Sequence, residues 1–132
     1  MWHAARIDDL FVNQVFQGKA AEWDTGGWAA KTGLPEKGFG TGQSTEDAKN
    51  VRIKDMKAFE EYRETVIKQA EQFMDGLTDA GLTREVKLGE RTETLGESIN
   101  LHMVTHFNGH RGEINLLRGM MGFDPVMPNR GG

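Results

Sequence analysis

A chain of 132 residues, 27% charged and 37% hydrophobic with a net charge of -4, is sized for one domain over residues 1–132, burying roughly two-thirds of its unfolded surface. No basic stripe marks a nucleic-acid footprint, no apolar run reaches membrane-spanning length, and no signal-peptide pattern is present, so the expected location is cytoplasmic. Cysteine is absent, which removes disulfides and protein-borne thiols together, so a metal site must use histidine, carboxylate or water.

The first predicted helix covers residues 2–16, "WHAARIDDLFVNQVF". Ile7, Leu10, Phe11 and Val15 recur at helical spacing, and His3 sits one turn before Ile7 on the same seam. Taken by itself, His3 reads as an ordinary hydrogen-bonded core histidine. Residues 18–43 form a long glycine-rich loop carrying Trp23, Trp28 and Phe39. Structureless loops of that length are uncommon in compact domains and tend to be functional, and three large rings argue against disorder. Its "GFGTG" lacks the preceding strand and the Lys-Ser/Thr ending of a phosphate loop, so a turn-rich loop is the better reading.

The second predicted helix starts at "STED", where Ser44 or Thr45 can cap it, and runs to about Leu77. Its apolar stripe is Met56, Phe59, Tyr62, Val66, Ala70, Phe73 and Leu77. "REVKLGE" is a short strand candidate. The third predicted helix opens at "TLGE", where Thr94 and Glu97 fit a capping box, and ends near Gly122. The tail "FDPVMPNRGG" reads as a frayed end. Three long amphipathic helices give an all-α bundle.

The third helix carries His102, His106 and His110 at an even spacing of four. On a regular helix each step of four advances only about 40°, which places the three rings on the arc of Ile99, Met103 and Leu117. Arg111, Asn115 and Arg118 fall on the far side. Two histidines at i and i+4 can grip one metal ion. A zincin-type peptidase is disfavoured, because Phe107 stands in "HFNGH" where the general-base glutamate would be. Three histidines on a buried face need partners for six ring nitrogens, and a divalent cation satisfies several at once.

"LHMVTHFNGHRGEINLLRGMMG", preceded by "WHAARIDDLFVNQ", resembles the DinB/YfiT-like superfamily of metal-binding helical bundles, and the resemblance covers nearly the whole chain. It rests on a histidine in an early helix and a His-x-x-x-His-Arg-Gly motif in the last one. It implies an up-and-down bundle of four helices, of which the first would be missing here, leaving an apolar groove for a partner chain. It also implies His3, His106 and His110 as ligands of one divalent metal, zinc or nickel foremost. Several members are S-transferases using a low-molecular-weight thiol, and others are described as metal-dependent hydrolases. The implied function is therefore a metal-dependent enzyme that activates a small-molecule thiol or water toward a small-molecule substrate. The alternative is a non-catalytic, metal-stabilised helical dimerisation module. In either case a homodimer is expected, since two-fold association is the commonest cover for such a groove.

His102 would replace a ligand, support one, pack as a plain core histidine, or act as the catalytic acid-base group. Glu113 falls on the same arc as His110 and either orients that ring or makes an ordinary interhelix hydrogen bond. Arg111 reads as an ion-pairing residue, and Gly112 as a place where a neighbouring helix comes close. Trp2, Trp23, Trp28 and Met120 read as core rather than substrate wall.

Overall fold

A computed structural model describes residues 1–124 and 126, so the last turns of the expected tail lie largely outside the described residues. Most of the described chain is helical, with a single two-stranded antiparallel sheet. The first helix comprises α1 (Trp2–Asp9) and π-helical turns over Leu10–Val15. No described helix is long and apolar enough to cross a membrane.

The long loop is not structureless. It holds α2 (Glu22–Thr25) and α3 (Trp28–Thr32), and both tryptophans are buried. They join Trp2, Phe59, Tyr62 and Val66 in one core cluster, so the loop supplies a wall of the domain. Its docking depends on Asp9, which is fully buried. Oδ1 of Asp9 accepts from the Glu22 backbone N–H and from Asn13 Nδ2, each at 2.8 Å. Its Oδ2 accepts from the Trp23 backbone N–H at 2.8 Å and from the Tyr62 hydroxyl at 2.9 Å. Asp9 thereby satisfies amides that the start of α2 leaves unpaired and ties three elements together. Burial and the Asp9 charge push the Tyr62 phenol upward, so it serves as a fixed donor.

The second predicted helix is broken. Ser44 caps α4 (Thr45–Asn50), the chain then extends, and Asp55 caps α5 (Met56–Asp75) by accepting from the Ala58 N–H at 3.0 Å. The β-branched Val51 and Ile53 cause the break, because the extended backbone turns both toward the first core cluster. Within the expected stripe Phe59, Tyr62 and Val66 are buried, whereas Met56 at the new helix start is 51% exposed.

After α5 come α6 (Asp79–Leu82) and a hairpin of β1 (Glu85–Leu88) and β2 (Arg91–Thr94), which includes the expected strand. The hairpin turns at Gly89, whose φ of +60° suits a two-residue connection. Val86 pairs with Glu93 across the ladder, and Val86 enters a second core cluster with Ile7, Phe11, Phe16 and Leu95. The last helix is assembled from α7 (Leu95–Ser98), π-helical turns over Ile99–Thr105, and α8 (His106–Met120). Its start carries the expected Thr94–Glu97 capping box. Ile99, Met103 and Phe107 pack on the second cluster. Beyond them the helix stands clear, with Leu117 58% and Met120 77% exposed rather than in the core.

Candidate metal centre

The first helix and the last cross where His3 faces His106 and His110. The three rings meet edge to face, with centroids 5.1 Å apart for His3–His106, 5.2 Å for His3–His110 and 4.5 Å for His106–His110. His3 Nε2 lies 3.3 Å from His106 Nε2, and His110 Nε2 lies 2.9 Å from the same atom. One nitrogen from each ring falls within 4.8 Å of the other two, so these three histidines lie close enough to hold a metal ion. Two nitrogens on one ion at ~2.0–2.1 Å stand about 2.8–3.0 Å apart at a right angle and about 3.3–3.4 Å apart at the tetrahedral angle. Both short separations fall in that interval.

The other side of each ring explains why these nitrogens are available. Nδ1 of His3 donates to the backbone carbonyl of Phe39, which can only accept. Nδ1 of His110 donates to Glu113 Oε2 at 2.8 Å. A neutral ring that spends its proton on Nδ1 presents a bare lone pair at Nε2. Burial first, and then the neighbouring His110 and His3, hold the His106 pKa below the usual imidazole range, which favours the neutral, lone-pair form. Where His106 also presents a bare Nε2, three lone pairs face one another, and a cation between them relieves the repulsion. The donor set therefore fits a borderline divalent ion bound by imidazole.

The glycine-rich loop contributes directly. Besides the Phe39 carbonyl on His3, the Gly38 carbonyl accepts from Arg6 Nε at 3.2 Å. Gly40 has a φ of +87°, and a Cβ there would come within 3.3 Å of the His3 Cβ, so the loop lies flat against the ring. "GFG" is thus a brace on the first helix, in keeping with turns rather than a phosphate cradle.

His102 stands apart from the trio. Its ring stacks on Phe11 with centroids 4.4 Å apart and its Nε2 meets Glu93 Oε1 at 3.0 Å, which pins the hairpin to the last helix. Glu113 has the orienting role toward His110, not an interhelix one. Arg111 is exposed, and Gly112 has open space around it among the described residues. Arg118 and Asn115, on the outer side, bond to the Asp124 carbonyl and to the Val126 backbone.

A cavity of about 540 Å³ opens beside the histidines, between α1, α5 and α8. Ala4, Val66, Ile67, Phe107, Ile114 and Leu117 form much of its wall, and His3 and His110 stand at its edge. Sequence reasoning missed both the cavity and Asp8, a half-buried carboxyl that lines it. The signal was present as two consecutive acids, "DD", inside an apolar helical seam. No family model matches this chain, and no curated protein matches it.

Proposed function

We propose that this chain is a metal-dependent protein of the DinB/YfiT-like type, in which His3, His106 and His110 hold one divalent cation through their Nε2 atoms. The observation that carries this reading is the convergence of those three nitrogens while acceptors engage the far sides of the rings. Three imidazoles suit zinc, nickel, copper or iron, and the resemblance puts zinc and nickel foremost. Such an ion supplies a Lewis acid that lowers the pKa of a water or small-molecule thiol brought to it. The chain's own residues do the remainder. The Phe39 carbonyl and Glu113 orient His3 and His110, and Phe107, Ile114 and Leu117 form an apolar wall beside the approach. The adjoining cavity favours an enzyme over a structural pin, because a purely structural site is closed on all sides.

His102 is not assigned the acid-base step in this proposal, since Glu93 and Phe11 engage its ring. Metal analysis of protein purified without a histidine tag tests the reading. One equivalent per chain is expected in the wild type and in His102→Ala, and close to none in His106→Ala, with a lower melting temperature in the last because bound metal stabilises the fold. Undiminished metal in alanine variants of all three ligands would refute it.

The proposal includes a homodimer. Leu116, Leu117, Met120 and Met121 are 58–77% exposed along the end of the last helix, more contiguous apolar surface than a monomer usually leaves in water. A second copy laying the same helix alongside covers both patches at once. Sedimentation velocity should show a dimer at micromolar concentration that Leu116→Lys dissociates; a wild-type monomer throughout that range refutes the dimer.

A further inference from the structure

Within the cavity beside the histidines, the polar groups are not equivalent. Arg63 is committed to Glu60 through a 2.8 Å ion pair on the surface of α5. Glu113 is committed to His110, and Arg111 is exposed on the rim, where water screens its charge. Asp8 alone is half-buried with its carboxyl uncommitted: no hydrogen bond or ion pair holds it among the described residues, and burial is the one influence acting on its titration. That burial pushes its pKa up to about 7.

Buried carboxylates are normally paired, because an unpaired one costs stability in proportion to the water it has lost. Asp8 also lines a second, neighbouring groove of about 700 Å³ bounded by Ile67, Met74, Met103 and Phe107, with the exposed acids Glu71 and Asp75 at its solvent edge. Asp8, Ile67 and Phe107 line both spaces, so Asp8 stands where this groove borders the largely apolar channel that runs beside His3 and His110. A fold gains nothing from a half-buried, unpaired acid in the wall of an apolar channel. A bound molecule that brings its own donor removes the penalty.

We propose that this channel binds an elongated apolar small molecule bearing one amino group, that Asp8 receives the ammonium, and that Asp8 is thereby the specificity-determining residue of the histidine site. The volume of about 540 Å³ beside the histidines suits the proposal, since small-molecule sites span roughly 300–1,000 Å³ with mostly apolar walls and few placed polar groups. Charge sign supplies the selectivity: an ammonium pairs with Asp8, whereas a carboxylate of the same chain length meets a like charge in a poorly solvated place. The proposal rests on the metal reading only for what happens at the histidine end; recognition at Asp8 stands by itself.

The test uses three probes of equal length, n-octylamine, 1-octanol and n-octanoate, titrated calorimetrically into the protein as purified at pH 8. Octyltrimethylammonium is added as a cation that has no lone pair for a metal. Both cations should bind the wild type roughly ten- to a hundred-fold more tightly than octanoate, and Asp8→Asn should lose that preference while retaining octanol binding. Ile67→Trp, which fills the channel from α5, should abolish binding of all four. Equal affinity of wild type and Asp8→Asn for the cations, octanoate binding as tightly as octylamine, or no binding of any probe to the wild type overturns the proposal. Metal content read on the same samples separates the two readings. A metal-free wild type with Asp8-dependent cation binding removes the metal reading and supports this one. A loaded wild type with Asp8-independent binding does the reverse.

Discussion

The two faces of the first helix treat a carboxylate in opposite ways. On the face toward α2 and α5, Asp9 is completely buried and accepts from two backbone amides, an asparagine amide and a tyrosine hydroxyl. Arg6 adds a neighbouring positive charge at 3.6 Å. On the face toward the last helix, Asp8 is half-buried beside apolar side chains and uncommitted. Adjacent residues of identical chemistry thus meet a completed polar network and an incomplete one. The completed network builds the fold, because it locks the glycine-rich loop whose Phe39 carbonyl orients His3. The incomplete one lies where a ligand can finish it.

Removing Asp9 should break this contrast with the largest effect. Asp9→Ala strands the Trp23 and Glu22 amides and the Arg6 charge in the interior, at an expected cost of about 3–5 kcal/mol of unfolding free energy by urea denaturation. A cost under 1 kcal/mol would show that the network is dispensable.

Asp8→Asn should act in the opposite direction. The folded-state pKa of Asp8 is raised from 3.8 to about 7, so the folded protein holds this proton more tightly than the unfolded chain does. Stability then falls as pH rises from about 4 to about 7, and the penalty is complete above that window. The charged groups on the elements facing Asp8 are Arg63, Glu71 and Asp75 on α5, and His110, Arg111 and Glu113 on the last helix, with His3 on its own helix. Asp8→Asn should therefore gain on the order of 1–3 kcal/mol over wild type at pH 8 and nothing at pH 4. A gain independent of pH, or a loss at pH 8, would place Asp8 in a solvated or paired setting instead.

Periodicity made much of this legible. Ile7 and Phe11 of the first seam and Phe59, Tyr62 and Val66 of α5 are buried where spacing put them, Met56 is not, and the Thr94–Glu97 capping box marks a true helix start. The break at residues 51–55 escaped because helical spacing continues across it, and only the tertiary pull on Val51 and Ile53 decides against it. His102 was placed in register with His106 and His110 on the premise of a regular helix. The π-helical turns over Ile99–Thr105 need more residues per revolution, so four steps fall short of a full turn instead of passing it, and His102 is rotated away from the trio toward Glu93 and Phe11. Spacing could pair His106 with His110. Bringing His3 to them takes the crossing of two helices a hundred residues apart, which only the resemblance anticipated. Ring-orienting partners such as the Phe39 carbonyl have no sequence signature, because any residue carries a carbonyl.

The central claim is that three imidazoles converge on one cation, and X-ray absorption at the metal edge of the wild-type protein tests it most directly. The expected first shell contains three imidazole nitrogens at ~2.0–2.1 Å with the outer-shell scattering of histidine rings, plus one or more lighter oxygen or sulfur contributions. His3→Ala should remove one ring from that shell, or the metal altogether. A wild-type shell made of carboxylate and water oxygens, or one unchanged in His3→Ala, would contradict the claim.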